Sequence, residues 1–346
     1  MSDRLTRTLS TQSGQPNPRI TAKLCPGNRK GCDIGYAPAI SSCEGANSSS
    51  CLPGKMRLLR RPSPQLSRFS GMHRQAFVHS SHGHVLLCTT FDGYKFNAPA
   101  FTQDSVQQIN RDFQDGAIAV KIWKTFGMEI KDSNGKYVLP DDPKLKPIYE
   151  DIAQHDKTLL THLAEPDLAW EPLDVKKDPL AQYYLENPQW HMLNKPGVPS
   201  KKAILEARDR VLEQNPKLRV VGVHLASMEK DLDALGQRLD KYPNFAVDTA
   251  ARMEYLMYGD PEKVRAFLMK YQDRVIYGTD LDVNPDADVQ KSVKEWKETY
   301  ANDWRFFATD ETFQVEGHAV HGVKLPKDIL QKVYRTNAQH WIRGLP

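Results

Sequence analysis

Six short runs of apolar, largely β-branched residues, separated by segments of helical period, constrain this chain's fold more than any other feature. They are Val85–Phe91, Ala117–Trp123, Thr158–His162, Val220–His224, Asn244–Asp248 and Arg274–Asp280. Runs this short and this continuously apolar predict strands buried on both faces, as in a parallel sheet. Between them the period changes. Asp104 to Asp115 predicts a helix with Val106, Ile109 and Phe113 on one face, and Pro143 to His155 another with Leu145, Ile148, Tyr149 and Ile152 inward. Ser200 to Gln214 and Glu229 to Lys241 continue the alternation, Asp260 caps a helix with Pro261 at its first position, and Pro326 to Ile342 closes the chain as an amphipathic helix. Alternation of this kind predicts an α/β fold with right-handed crossovers.

The alternation does not extend to the beginning. Up to His84 there are twelve Lys or Arg against three Asp or Glu, and beyond it thirty-five against forty. Residues 1–78 are rich in Ser, Pro, Gly and Arg, without sustained period, and predict a disordered basic leader. Residues 79–346 form the expected barrel domain. Cys25, Cys32, Cys43 and Cys51 lie in the leader without the paired spacing of a zinc ribbon, and no cysteine follows Cys88. The long acidic part therefore predicts a cytoplasmic protein without disulfides. No apolar stretch reaches the roughly 20 residues of a bilayer span. The basic run Lys55 to Arg61 has no interleaved aromatic residues, which argues for a solvated tail over nucleic-acid binding.

Chemistry-bearing residues mark the strand ends. A Lys, His or Asp at the end of a buried strand is costly unless it is used, and the C-terminal face of a parallel barrel is where active sites sit. His162 and His224 end successive runs, each before a small turn. Either alone reads as a packed core histidine. Together they read as metal ligands or a general base. Asp280, in Tyr277-Gly278-Thr279-Asp280, is either a turn or helix-cap residue or a ligand and base; Asp248 is equally ambiguous, with Arg252 placed to pair with it or to hold a substrate carboxylate. Lys121 either binds an anion or metal bridge, or carries its charge to the surface along an apolar stem. Glu165 is expected to orient an imidazole from behind. The long segment from Glu165 to Pro199, with Trp170, Tyr183, Tyr184 and Trp190, predicts a lid or binding loop. His82-Gly83-His84 has His-x-His spacing but precedes the first run, and would enter from the opposite end of the strands. No glycine-rich phosphate motif follows any strand, which disfavours an open nucleotide-binding sheet against a barrel.

In this order, Gly116 to Trp123, His162-Leu163-Ala164-Glu165-Pro166, Gly222 to Ser227, Val247 to Arg252, Tyr277 to Asp280 and Val333 to Ala338 resemble the amidohydrolase-related proteins of the aminocarboxymuconate-semialdehyde decarboxylase type. The resemblance implies a (β/α)8 TIM-type barrel in which the six runs are strands three to eight. It implies a divalent metal, zinc with manganese as the second candidate, held by His162 and Asp280, with His224 activating water or polarising substrate. It implies hydrolysis or non-oxidative decarboxylation of a small, often carboxylated molecule. The family's opening His-x-His strand and the strand after it are missing, their place taken by the leader, as a frameshifted or misassigned start would produce. Activity would then be impaired. Two other readings stand beside this one: a metal-free lactonase-like hydrolase with Asp280 as base, and a non-catalytic barrel remnant whose leader binds an anionic partner. A small-molecule partner is expected, no membrane is, and self-association is compatible with the fold.

Overall fold

The computed structural model describes residues 86–178, 180–281 and 288–345. The leader, its basic run and His82-Gly83-His84 lie outside the described residues. All six expected strands form: β1 (Leu87–Thr89), β2 (Ala117–Ile122), β3 (Thr158–Thr161), β4 (Arg219–Gly222), β5 (Phe245–Asp248) and β6 (Val275–Ile276). They make one parallel sheet in sequence order. Among the described residues no strand joins β6 back to β1, so the TIM-type barrel is open here.

Helices lie between the strands. The expected ones are α1 (Phe101–Gln114), α2 (Lys146–Gln154), α4 (Lys201–Gln214), α5 (Leu232–Lys241) and α6 (Pro261–Lys270), and a short α3 (Leu180–Glu186) stands inside the segment read as a lid or binding loop. Ser200, Asp231 and Asp260 cap α4, α5 and α6 with side-chain oxygens that accept from backbone N–H groups. Ile109, Leu145, Ile148, Tyr149 and Ile152 are buried as their period requires. Two features were not foreseen. A twenty-residue helix, α7 (Val289–Ala308), follows β6, and a hairpin, β7 (Thr312–Val315) with β8 (His318–His321), follows α7. Only Phe313 and Val320 of the hairpin are buried, so its alternation is a weak signal. Its turn is Glu316-Gly317, both at positive φ, as a tight hairpin turn demands. The closing helix is not continuous: α8 (Lys327–Gln331) passes through a π turn at Lys332–Thr336 into α9 (Asn337–Trp341).

The sheet packs on both faces, which is why its runs are apolar throughout. Val120, Leu159, Val220, Phe245 and Val275 meet the helices in the larger core. Ala119, Leu160, Val221, Ala246 and Ile276 form a second cluster with Trp341 and Ile342 from the chain's end. No helix among the described residues is long and apolar enough to cross a membrane.

Candidate active site

The register places the chemistry. Lys121 pairs with Leu160, Leu160 with Val221, and Val221 with Ala246, so Lys121 shares the face of the second cluster. His162 and Asp248 lie two residues beyond Leu160 and Ala246, on that same face at the C-terminal ends. Lys121 is 1% exposed, which removes the reading in which its charge reaches the surface.

His162 and His224 meet edge to face, ring centroids 4.3 Å apart, with His224 Nε2 3.3 Å from His162 Nδ1. His224 Nδ1 lies 2.7 Å from the carbonyl oxygen of Ala250. A carbonyl only accepts, so Nδ1 carries the proton and the lone pair of neutral His224 is on Nε2. His162 Nδ1 must then donate to it, which leaves the His162 lone pair on Nε2. Both imidazoles are held neutral, their pKa values well below the ordinary 6.5. Burial is the main cause. Neighbouring positive charge adds to it, from Arg252 and Lys121 at His224 and from Lys124 and Lys121 at His162.

The turn that carries His224 is left-handed. His224, Leu225, Ala226 and Ser227 have φ of 62°, 51°, 56° and 57°, a conformation that costs about 1–2 kcal/mol for each residue with a Cβ. Neighbouring groups hold it there. Asp248 Oδ1 accepts from the N–H of His224 at 2.7 Å and of Ala250 at 3.2 Å, buried Arg208 donates to the oxygen of Ala226 at 2.8 Å, and Ser227 Oγ donates to that of Leu163 at 2.8 Å. Gly222 makes room for the turn, since a Cβ there would stand 2.6 Å from that of Ala226. Asp248 thus fixes the backbone that presents His224.

Asp280 lies four residues past β6 at φ 60°, half-buried. Helix α7 is capped by Asp288, whose Oδ1 accepts from Gln290 and Lys291, so Asp280 is not a helix cap. Tyr277, three residues earlier, donates to Asp303 of α7 at 2.6 Å.

Glu165 does not stand behind an imidazole. It is buried against Lys124, which donates to it, and it accepts from Tyr184 at 3.1 Å. His224 Nδ1 is already taken by Ala250, and His162 Nδ1 by His224, so neither offered that position. Lys124 also donates to Tyr183 at 3.1 Å and lies 4.4 Å from the centre of the Trp190 ring. Trp190 and His162 both pack edge-on against Trp123, at 6.1 Å. Trp170 sits further out and ties the ends of its segment together through Nε1 to Pro199, at 3.0 Å. Residues 165–178 and 180–199 therefore form an anchored strap beside the histidine pair. Lys124 was missed from sequence, although two lysines three apart at one strand end are themselves a signal. Glu229 was missed as well; it is fully buried between Arg252 and Lys201.

Among the described residues, no group of three His, Cys, Asp or Glu side chains is placed to hold a metal ion. Catalytic zinc normally takes three protein ligands. The described residues alone do not fit one.

The amidohydrolase family model matches residues 96–343. No curated protein matches the chain. Among solved structures, similarity extends to an uncharacterised TIM-barrel protein from Bordetella bronchiseptica, at 15% identity and TM-score 0.44, over 78% of this chain and 71% of that one. It extends also to 2,6-dihydroxybenzoate decarboxylase from Rhizobium, at 12% identity and TM-score 0.45, over 80% and 76%. A third is 5-carboxyvanillate decarboxylase from Novosphingobium aromaticivorans, complexed with manganese, at 16% identity and TM-score 0.45, over 80% and 69%.

Proposed function

The chain belongs to the amidohydrolase family, and from that premise we propose that it is a hydrolase or non-oxidative decarboxylase of a small carboxylated molecule. The observation that carries this reading is the His162–His224 pair, with the proton of His224 fixed on Nδ1 by Ala250. His224 Nε2, whose lone pair accepts from His162 in the resting pair, becomes a neutral base at the mouth of the sheet once the His162 ring turns aside to admit water or substrate. In hydrolysis it takes a proton from water as the oxygen attacks the scissile carbonyl carbon, and returns that proton to the departing nitrogen or oxygen. In decarboxylation it first takes the proton of the substrate's carboxylic acid, and the imidazolium so formed gives that proton to the carbon that keeps the bonding pair as carbon dioxide leaves. The cations beside the pair, Lys121 and Arg252, attract a substrate carboxylate. Asp248 holds His224 in place, and Trp123 and Trp190 form an apolar wall beside it.

A divalent metal, zinc or else manganese, belongs to the proposal with His162 and Asp280 as its ligands, where it would supply Lewis-acid polarisation of a substrate oxygen. Because the described residues do not reach three ligands, no step above runs through it. The place of Asp280, half-buried past the end of β6, favours a second reading, a metal-free hydrolase in which it is the base. A cytoplasmic setting and a small-molecule partner complete the proposal. The test is turnover of carboxylated amides, lactones and aromatic acids by the full-length chain, with metal content measured on active protein. Turnover lost in His224→Ala is expected. Stoichiometric zinc or manganese in active protein removes the metal-free reading; full activity after exhaustive chelation removes the metal-dependent one. An inert, folded wild-type chain overturns both.

A further inference from the structure

The Glu229 side chain is 0% exposed, yet neither carboxylate oxygen has a hydrogen-bond partner. Each oxygen faces a cation from beyond hydrogen-bond distance: Oε1 is 3.8 Å from Lys201 Nζ, and Oε2 is 3.5 Å from Arg252 Nε. Arg252 Nε is likewise buried without an acceptor. Ion pairing at this range offsets part of the cost of burying the charge, but it leaves the acceptor capacity of Glu229 unused, and an unused buried acceptor is costly. The three side chains come from separate elements of the catalytic end. Glu229 follows the left-handed turn of His224, Arg252 follows β5, and Lys201 opens α4. Lys201 also pairs with Asp167 of the strap at 3.0 Å, so the strap shares in closing this pocket of charge.

We propose that Glu229, set between Lys201 and Arg252, is a specificity-determining residue that accepts a hydrogen bond from a hydroxyl or amino group of the substrate. This rests on the reading of a carboxylated substrate at the histidine pair and adds a second polar group to it. A donor bound here satisfies Glu229, and an acceptor beside that donor satisfies Arg252 Nε. Charge favours it: a substrate group that donates to Glu229 and accepts from Arg252 supplies each with the partner it lacks. A substrate lacking the donor leaves the carboxylate unsatisfied, the arrangement that discriminates most strongly between analogues.

The test compares three acids of one skeleton: 3-phenylpropionate, 3-phenyllactate and phenylalanine. They share a ring for Trp123 and Trp190 and a carboxylate, and differ only in carrying hydrogen, hydroxyl or amine at the second carbon. Calorimetric titration of the full-length chain should show the hydroxy or amino acid binding about tenfold to a hundredfold tighter than 3-phenylpropionate, the range for a hydrogen bond to a charged group. In Glu229→Ala the preference should vanish, the three acids binding equally whatever common change in affinity follows from freeing Arg252 of its counter-charge. Glu229→Gln, which keeps one acceptor oxygen and the side-chain shape, should retain a reduced preference, and it carries the comparison if the alanine variant does not fold. Equal binding of all three acids to the wild type overturns the subsite and leaves the carboxylate reading standing. Binding of none of them overturns both. A preference undiminished in both variants, or in Glu229→Gln where the alanine variant does not fold, also overturns the subsite, since Glu229 then serves only to hold its two cations.

Discussion

The two ends of the sheet are built from the same residue types and put them to opposite use. At the N-terminal ends of β4, β5 and β6 lies a cleft of about 670 Å³ whose walls include Lys217, Arg219, Arg274, Lys332 and Arg343. Its charges are largely matched at the surface: Arg219 with Asp156 at 2.7 Å, Lys332 with Asp273 at 2.8 Å, and Arg274 donating to the carbonyl oxygens of Tyr242 and Phe245. Such cations satisfy carbonyls at helix C-termini, and exposed pairs of this kind contribute little each. Behind them Trp341 and Ile342 close the sheet against solvent. At the other end the charges are buried, the backbone turns left-handed, and the imidazoles are held neutral. Buried, strained and incompletely matched groups mark the catalytic end, and this cleft belongs to the stabilising one.

Two substitutions should break or sharpen this contrast most. His224→Ala is expected to lower turnover by about 10²–10⁴-fold, the usual worth of a general base, and to cost about 1–3 kcal/mol of stability for the buried partners it leaves unpaired. Trp341→Ala, at the opposite end, is expected to cost about 3–5 kcal/mol of stability while turnover per folded molecule stays intact. Steady-state kinetics corrected for folded fraction separates the two. If Trp341→Ala depresses turnover as deeply as His224→Ala, the division of labour between the ends does not hold.

A buried carboxyl between the sheet and α7 gives a pH signature. Burial pushes the pKa of Asp303 from its ordinary 3.8 up to about 7, against a smaller lowering from Tyr277. The folded state thus retains a proton that the unfolded chain has lost. Stability is greatest below pH 3.8, falls as pH rises toward 7, and changes no further from this group above that. The difference amounts to about 4 kcal/mol at most. Asp303→Asn, neutral at every pH, should flatten this slope in denaturant unfolding measured from pH 4 to 8. An unchanged slope would mean that Asp303 is ionised in the folded chain.

How much of this was legible follows from where each signal resides. All six strands could be read because burial on both faces demands apolar residues at every position, and chemistry at a strand end then stands out, as at His162, His224 and Lys121. The helix α7 and the β7–β8 hairpin were not, because each buries only two or three residues and neither makes a continuous apolar stripe. Partner choice was the least legible. Asp248 bonds backbone N–H groups and Glu165 bonds Lys124, arrangements set by turns whose handedness no spacing reveals. The left-handed course of His224 to Ser227 contains no glycine and gives no local sign of itself. Its nearest sign is Gly222, two residues before it, which only the packed turn explains.

Gly222 accordingly offers a smaller test of the same end. A Cβ there would also come within 2.8 Å of the Phe245 ring, so Gly222→Ala should cost about 1–3 kcal/mol, as overpacking does. Turnover should fall with it, since the turn that carries His224 must move. Stability lost without any change in turnover would separate the packing of the turn from the placement of the histidine.

The smallest effect is expected at Ala226, and it measures the strain directly. Ala226 is buried at φ 56°, whereas Ala207 is equally buried in the right-handed α4. Replacing either with glycine removes a buried methyl and loosens the unfolded chain, a loss of about 1 kcal/mol or more. At Ala226 alone the change also relieves the left-handed penalty of about 1–2 kcal/mol. Ala226→Gly should therefore alter stability by less than about 1 kcal/mol and be the milder of the pair, while turnover drops because the freed turn no longer holds His224 against Ala250. Urea unfolding of both variants decides the first point and kinetics the second. If Ala226→Gly costs as much stability as Ala207→Gly, the catalytic turn stores no strain, and what distinguishes this end of the sheet is its buried charge alone.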